Sequence, residues 1–327
     1  MKKALISGAS GQDGAYLAQL LLENGCEVYG ASRDAQTCSF ANLRRVGIFE
    51  QVRTLSIAVN DFRSVLNALQ EVEPDEVYNL AGQSSVGLSF EQPVETLESI
   101  STAALNFLEA IRFTRRPIRF YNAGSSECFG DTGGAKADEK TPFRPRSPYA
   151  VAKASAHWIV ANYREAYNLF ACTGILFNHE SPLRPERFVT GKIIAAACRI
   201  AAGSEEQLHL GNMNIRRDWG WAPDYVRAMH LMLQQDRPQD YVIATGRSRP
   251  LEDFVRLAFA EVGLDWREHV ISDKKLLRPT DIREGCGNPA KAERELGWKA
   301  AFQLEDVVRE MVRARKQASS PSVPPPQ

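Results

Sequence analysis

Short apolar stretches alternate with amphipathic stretches along the first half of the chain. The apolar stretches predict strands at residues 2–7, 27–31, 52–58, 76–80 and 118–123. Apolar positions at helical spacing predict helices at residues 12–24, 61–71, 94–113 and 148–167. Strands that alternate with helices in this way are typical of an α/β fold, a parallel sheet covered by helices on both faces.

The regular alternation weakens beyond about Leu176, where the loops carry proline and arginine. Later elements are predicted at residues 240–244, 251–262 and 304–316. We therefore predict a main domain over residues 1–175, to which elements near 218–247 return, and a smaller C-terminal lobe over residues 176–217 and 248–316. Residues 317–327 are rich in serine and proline and are predicted to form a disordered tail.

A glycine-rich turn follows the first predicted strand and opens the first predicted helix. Gly8, Gly11 and Gly14 recur at every third position. The missing Cβ atoms let the backbone approach a pyrophosphate, and the helix N-terminus offers N–H groups and a partial positive charge. The main domain is therefore predicted to be a Rossmann-type, doubly wound sheet that binds a dinucleotide.

The residues after the second, third and fourth strands refine this cofactor site. Arg33 ends the second strand and favours the 2′-phosphate of NADP, whereas the neighbouring Asp34 leaves NAD open. Asp61 and Phe62 follow the third strand and suit the adenine, one by hydrogen bonding and one by packing. Residues 80–84 form a loop of mostly small residues suited to lie along the cofactor.

Tyr149 and Lys153 lie four residues apart near the start of the predicted helix 148–167, so both side chains project from one face. Ser147 can cap this helix, and Pro148 occupies its favoured first position. A free tyrosine titrates near about 10, and a nearby ammonium favours the phenolate. We expect Tyr149 to accept a proton from a sugar hydroxyl while hydride leaves for a nicotinamide.

Ser125 and Glu127 lie two residues apart, just after the predicted strand 118–123. If the chain stays extended there, both side chains point the same way. Ser125 then hydrogen-bonds the reacting oxygen, and Glu127 removes a proton next to the new carbonyl. Because a simple dehydrogenase needs only serine, tyrosine and lysine, the carboxylate indicates a further step, the elimination of water.

The composition excludes several other classes of function. The 327 residues include 40 basic and 40 acidic ones, and this balance gives no reason to expect a nucleic-acid or membrane partner. Six cysteines are scattered without the spacing of a metal site, which favours free thiols and no bound metal. Neither a signal peptide nor a long apolar segment is found, so we expect a cytoplasmic protein.

Longer stretches carry a family resemblance. They read VYNLA at residues 77–81, SPYAVAK at 147–153, FNHESP at 177–182 and RDWG at 217–220. From Ala4 to about Ala300, the chain resembles the GDP-mannose 4,6-dehydratases of the extended short-chain dehydrogenases. The glycine turn identifies only the superfamily, whereas FNHESP and RDWG are specific to this branch.

The resemblance implies the roles of individual residues. NADP contacts are implied at Gly8, Gly11, Gln12, Asp13, Gly14, Arg33, Asp61, Phe62, Leu80, Ala81, Gln83, Ser84, Tyr149, Lys153, His179 and Arg184. Contacts to a GDP-sugar are implied at Ser85, Asn178, Val189, Lys192, Arg217 and Arg278. The catalytic residues are Ser125, Glu127, Tyr149 and Lys153. Alternatively, Arg217 and Arg278 pair with Asp218 and Asp281, and His179 is an ordinary packed histidine.

The implied activity is the conversion of GDP-mannose to GDP-4-keto-6-deoxymannose. It consists of oxidation at C4, elimination of water across C5 and C6, and return of the hydride to C6. The resemblance also implies a homo-tetramer or homo-dimer with residues 32–45 near a subunit contact. Glu95 stands where the family often has a tyrosine near the cofactor.

Three other functions remain open from the sequence. The substrate is alternatively another GDP-sugar, such as a GDP-heptose. An epimerase or reductase on the same fold makes Glu127 dispensable. A non-enzymatic NADP-sensing regulator has no need of the tyrosine and lysine that are present here.

Overall fold

The computed structural model describes residues 1–277 and 279–319. The strands are β1 (Lys3–Ser7), β2 (Glu27–Ser32), β3 (Arg53–Ser56), β4 (Glu76–Asn79), β5 (Arg119–Ala123), β6 (Ala171–Leu176), β7 (Asn178–Glu180), β8 (Leu208–Leu210), β9 (Arg216–Trp221), β10 (Tyr241–Ile243), β11 (Ser248–Pro250) and β12 (Val270–Ser272).

The helices follow the predicted alternation through the first half of the chain. They are α1 (Gln12–Glu23), α2 (Ala41–Arg45), α3 (Phe62–Val72), α4 (Val86–Glu91), α5 (Pro93–Leu97), α6 (Ala103–Thr114), α7 (Pro148–Tyr167), α8 (Val189–Ala201), α9 (Ala222–Leu233), α10 (Leu251–Ala260), α11 (Ala290–Leu296) and α12 (Leu304–Ser319).

Among the described residues, seven strands form one sheet in the order β10–β6–β5–β4–β1–β2–β3, and all neighbouring pairs are parallel. After β3 the chain crosses to β4 on the other side of β1. The crevice beyond the carboxyl ends of β1 and β4 is therefore the switch point at which such sheets bind ligands. The predicted Rossmann-type, doubly wound fold is confirmed.

Both faces of this sheet are covered. Apolar side chains of α1 and α9 pack on one face, including Leu17, Leu21 and Met229. Those of α3, α6 and α7 pack on the other, including Phe107 and Val160. Burial on both faces explains why the strands read as apolar stretches in the sequence.

The second half contributes a separate apolar cluster from α8, α10 and α12, with Ile193, Phe254 and Val308 among its members. Its strands form smaller groups, with β11–β9–β7 in one and β12–β8 in the other. β10 leaves this half and pairs with β6 at the edge of the main sheet. The division into a main domain and a smaller lobe stays a prediction, with which these separate apolar clusters agree.

Two predicted segments differ from the structure. The single helix predicted over residues 94–113 is divided into α5, a π-helical turn (Glu98–Thr102) and α6. The predicted disordered tail begins too early, because α12 continues through residues 317–319. Residues 320–327 lie outside the described part of the chain.

Within residues 1–277 and 279–319, no helix combines the length and the apolar character needed to cross a bilayer.

Candidate active site

A cavity of about 260 Å³ opens where the carboxyl edge of the main sheet meets the lobe. Many of the predicted site residues line it: Asp13, Leu80, Ser84, Ser85, Ser125, Glu127, Tyr149, Lys153, Asn178, His179, Arg184, Val189 and Arg217. Other predicted residues of the described chain lie outside this lining: Gly8, Gly11, Gln12, Gly14, Arg33, Asp61, Phe62, Ala81, Gln83 and Lys192.

The glycine turn packs tightly against the backbone around it. Gly8 has a φ of +90°, and a Cβ there would lie 2.9 Å from the backbone nitrogen of Ala81. A Cβ on Gly14 would lie 2.3 Å from the carbonyl oxygen of Gly8. The N-cap of α1, Gly11, supplies no side-chain hydrogen bond. The N–H groups of the first turn of α1 are thus suited to an anion such as a pyrophosphate.

The start of α7 positions the tyrosine and the lysine. The Ser147 hydroxyl accepts a hydrogen bond from the Ala150 N–H at 3.1 Å, and Pro148 begins the helix, as predicted. Lys153 Nζ donates to the carbonyl oxygen of Ala123 at 2.7 Å, at the end of β5. The same nitrogen lies 5.8 Å from the centre of the Tyr149 ring.

Burial is the largest influence on the pKa values of Tyr149 and Lys153. Burial raises the pKa of Tyr149, and its hydrogen bond with Ser125 offsets this only in part. Burial lowers the pKa of Lys153 to about 8. That the Lys153 ammonium favours a Tyr149 phenolate stays a prediction. The ammonium is engaged with the Ala123 carbonyl, and the cost of burying a phenolate is the larger effect.

The backbone between Ser125 and Glu127 does not stay extended. Ser125 itself is extended, with φ −150° and ψ 140°, but it caps a 3₁₀ turn over Ser126–Phe129. Its hydroxyl accepts a hydrogen bond from the Glu127 N–H at 3.3 Å. The geometric premise of the prediction is thus wrong, yet the tight turn brings both residues to the lining of one cavity.

Asp13 and His179 form an ion pair beside the glycine turn. His179 Nε2 lies 2.8 Å from Asp13 Oδ2, and its Nδ1 lies 2.7 Å from the carbonyl oxygen of Phe177. Because both partners are acceptors, this arrangement favours hydrogen on both ring nitrogens and thus the protonated imidazole. Burial opposes this charge, but Asp13 raises the pKa of His179. Burial likewise opposes ionisation of Asp13, and His179 overcomes it to hold that pKa at about 2.

Arg184 is committed to partners within the chain. Its Nε donates to Glu180 Oε2 at 2.6 Å, and its Nη2 donates to the carbonyl oxygen of His179. Thr190 donates to the same Glu180 oxygen at 2.8 Å. This cluster joins β7 to the start of α8 and places the Arg184 charge at the cavity.

Arg33, at the end of β2, is paired with Glu95. The Arg33 Nη2 atom lies 2.6 Å from Glu95 Oε1. The neighbouring Asp34 accepts hydrogen bonds from its own turn, from Gln36 N–H and Thr37 Oγ1, each at 2.9 Å. Asp34 is thereby held in a local turn, whereas the Arg33 side chain remains largely exposed.

Other predicted site residues have local roles as well. Asp61 caps α3 by accepting from the Arg63 N–H at 2.9 Å, and Phe62 is the partly exposed first residue of that helix. Gln83 Nε2 donates to the carbonyl oxygen of Ser85 at 2.8 Å, which shapes the loop after β4. The Ser85 hydroxyl in turn caps α4.

The predicted substrate cations are placed differently from one another. Arg217 lines the cavity. Its Nη2 lies 3.2 Å from Asp281 Oδ1, so the carboxylate that pairs with it is Asp281 rather than the adjacent Asp218. Lys192 donates to the carbonyl oxygen of His209 at 2.7 Å, away from the lining. Arg278 lies outside the described residues.

The sequence did not indicate Arg187 and Phe188, which also line the cavity. The Arg187 guanidinium lies 5.1 Å from the centre of the Phe188 ring. Within the described part of the chain, no carboxylate pairs with Arg187. The arginines at positions 184 and 187 were the indication of a basic site that the sequence offered. Their place at the cavity depends on how β7 and α8 pack.

Sequence relatives agree with the resemblance. A family model described as GDP-mannose 4,6 dehydratase matches residues 5–311. GDP-mannose 4,6 dehydratase 1 of Arabidopsis thaliana is 47% identical, covering 95% of this chain and 89% of its own. The GDP-mannose 4,6-dehydratase of Sinorhizobium fredii (strain HH103) is 44% identical, covering 95% and 96%.

Solved structures share the fold. The UDP-glucose 4-epimerase of Thermus thermophilus, solved in complex with NAD, superposes with a TM-score of 0.86 at 25% identity over 97% of this chain and 99% of its own. The dTDP-glucose 4,6-dehydratase of Bacillus anthracis str. Ames, also in complex with NAD, gives 0.85 at 17% identity over 97% of each chain. Both likenesses agree with the doubly wound sheet.

Proposed function

The chain belongs to the GDP-mannose 4,6-dehydratase family, and on this premise we propose that the residues of its cavity convert GDP-mannose to GDP-4-keto-6-deoxymannose with NADP as cofactor. The protein is a dehydratase, a hydro-lyase. One observation carries the assignment of residues: Glu127 lines the same cavity as Ser125, Tyr149 and Lys153. An oxidation at C4 alone needs no such carboxylate.

The residues present fit a nicotinamide dinucleotide. The start of α1 has no side-chain cap, and Gly8 lies so close to the backbone at Ala81 that there is no room for a Cβ. These features suit a pyrophosphate. Arg33 lies at the end of β2 and is the group that would meet a 2′-phosphate. A bound nicotinamide supplies the hydride acceptor for C4 and later the hydride donor for C6.

Tyr149 and Ser125 act at the C4 hydroxyl. Tyr149 takes the O4 proton as C4 is oxidised, and Ser125, which lines the same cavity, holds the same oxygen. Lys153 is anchored by the Ala123 carbonyl and supplies a positive charge next to the tyrosine. The buried surroundings strengthen these interactions once the substrate excludes water.

Glu127 acts at C5 after the ketone has formed. The 4-ketone acidifies the C5 proton, and Glu127 removes it and passes it to the C6 hydroxyl, which leaves as water. C5 takes up a proton when C6 is reduced, so the reaction sequence balances. The sugar diphosphate needs charge-assisted hydrogen bonds. Arg187 and Arg217, both lining the cavity, are the cations we assign to it, with Asn178 and Val189 beside them.

The test of this function is Glu127→Gln, with GDP-mannose as substrate. The variant retains cofactor binding and the C4 oxidation, whereas elimination slows by about 10²–10⁴-fold, the usual contribution of a general base. Reduced cofactor is followed by absorbance, and C5 exchange is followed by mass spectrometry in heavy water. Product formation and exchange at the unaltered rate would remove Glu127 from the mechanism.

Tyr149→Phe is the matched control for that experiment. It blocks the C4 oxidation, so neither reduced cofactor nor C5 exchange accumulates. The two variants thus separate the first hydride transfer from the elimination.

We also infer a homo-oligomer and a cytoplasmic location. Exposed apolar side chains on α7, Val151 and Trp158, support association. The six cysteines are all free thiols, which supports a reducing compartment.

A further inference from the structure

We propose that Glu95 opposes binding of the cofactor's 2′-phosphate by holding Arg33, so that this pair, rather than Arg33 alone, sets the choice between NADP and NAD. The inference rests on the proposed use of NADP and deepens it. It names a specificity residue that the glycine turn and the strand ends do not reveal.

The position of the pair is the first ground. Arg33 directly follows the last residue of β2, where doubly wound proteins meet the ribose of the adenosine. The Arg33 and Glu95 side chains are 75% and 39% exposed, so both are open to a ligand at this edge. Their charged atoms lie 2.6 Å apart, which makes Glu95 the group that a phosphate has to replace.

The anchoring of Glu95 is the second ground. Its neighbour Thr96 is fully buried and accepts a hydrogen bond from Gln83 Nε2 at 3.2 Å. The Ser99 hydroxyl accepts from the Gln83 N–H at 3.1 Å. Gln83 belongs to the loop that leaves β4 toward the cofactor. The fold therefore holds Glu95 at this edge through bonds on its own segment.

The third ground is that Asp34 does not compete with Glu95 for Arg33. Both of its carboxylate oxygens accept hydrogen bonds within the turn from residue 34 to residue 37. Glu95 is thus the carboxylate in contact with Arg33. Its carboxylate can also accept a hydrogen bond from the ribose 2′-hydroxyl of NAD, as the acidic residue of NAD-binding sheets does.

The two cofactors meet this pair differently. A 2′-phosphate can pair with Arg33 only after it displaces the Glu95 carboxylate. The phosphate then lies beside that second negative charge. A 2′-hydroxyl can donate to Glu95 with the pair intact. Since exposed ion pairs are weak, removal of the Glu95 charge is expected to raise the NADP-to-NAD affinity ratio by about twofold to fivefold.

The experiment is calorimetric titration of the full-length protein with NADP⁺ and with NAD⁺. The proteins are the unaltered chain, Glu95→Gln, Arg33→Ala and the double variant. Glu91→Gln, at the exposed end of α4, is the control for loss of one negative charge. The fragments 2′,5′-ADP and 5′-AMP isolate the 2′-phosphate from the rest of the cofactor.

We expect Glu95→Gln to tighten NADP⁺ and 2′,5′-ADP but not 5′-AMP, and Glu91→Gln to change neither. The gain is expected to vanish in the Arg33→Ala background, as a coupled pair requires. If Arg33→Ala selectively weakens NADP⁺ binding but Glu95→Gln does not tighten it, the role of Glu95 is overturned and that of Arg33 stands. Equal losses of both cofactors in Arg33→Ala would overturn the phosphate role of Arg33, and with it the proposed use of NADP.

Discussion

Most charged side chains around the cavity have a partner within the chain. Arg184 is held by Glu180, Arg217 by Asp281, and His179 by Asp13. A buried charge without a partner is costly, so these pairs let the site keep its charges before a ligand arrives. Arg187 differs, since its guanidinium lies beside the Phe188 ring, and its charge is available to an anion at the rim of the cavity.

The Asp13–His179 pair predicts how stability depends on pH. The pKa of Asp13 falls from 3.8 to about 2 on folding, so its ionised form stabilises the protein above about pH 4. This contribution is lost as the pH falls toward 2. Asp13→Asn is expected to lower the free energy of unfolding by about 2 kcal/mol at pH 7, and the deficit shrinks below about pH 4.

Urea unfolding at several pH values measures this deficit. Asp236→Asn, an exposed carboxylate in the turn after α9, is the control and is expected to change little. A deficit of the same size at about pH 7 and at about pH 2.5 would contradict a role for the ionised Asp13.

Individual site residues were predictable where their spacing along the chain is itself informative. Tyr149 and Lys153 share a helix face, and Gly8 and Gly14 open one helix, so local sequence suffices. His179 meets Asp13 across 166 positions, and Arg33 meets Glu95 across 62. No local pattern encodes such pairs, because they form only when β7 and α5 reach the sheet edge.

At the level of elements, the best predicted helix is α7, whose two ends match the predicted 148–167. Ser147 and Pro148 are strong local start signals, and Asn168 ends the helix in the left-handed conformation. The turn after β5 was not predictable in the same way. Its geometry depends on a weak cap from Ser125, which competes with continued extension of the strand.

The carboxylate of Asp240 links helix α7 to the edge of the main sheet. Arg164 Nη1 and Nη2 donate to the two oxygens of Asp240, at 2.9 and 2.7 Å. The N–H of Thr173, in β6, donates to Asp240 Oδ1 at 2.6 Å. The pair is mostly buried, so Asp240 joins α7 and β6 to the segment that enters β10.

Asp240→Ala is expected to lower the free energy of unfolding by roughly 3 kcal/mol, because it leaves the Arg164 charge buried without its partner. Chemical denaturation monitored by circular dichroism measures the loss. Glu165→Ala, on the exposed side of the same helix, is the control. A loss of unfolding free energy no larger than that of Glu165→Ala would show that the Arg164–Asp240 pair does not stabilise α7.

At the scale of the whole molecule, exposed apolar side chains predict association. Trp158 is 63% exposed on α7, and Val94 is 66% exposed on α5. Large apolar groups open to water favour contact with another surface, here a second copy of the chain. Static light scattering is expected to give the mass of a dimer or tetramer. A monomer at micromolar concentration would contradict this expectation.

The overall arrangement of sheet and lobe was predictable in outline because β–α alternation has a strong period. The composition of the cavity wall was less predictable, since it combines residues that lie far apart along the chain, from Asp13 to Trp219. Lys192 shows the difficulty: the resemblance implies a contact to the GDP-sugar, yet its ammonium contacts the His209 carbonyl. That outcome depends on how β8 packs against α8.

The late edge strand β10 affects the order in which the chain becomes structured during its synthesis. β6 ends at Leu176, but its outer neighbour is made of residues 241–243, which a ribosome releases only after α8 and α9. Until then β6 has an unpaired edge, and α1 lacks the covering that α9 provides. Unpaired edges and bare apolar faces favour association with other nascent chains. Between release of residue 176 and release of residue 243, the growing chain is therefore expected to expose the edge of β6 and the apolar face of α1.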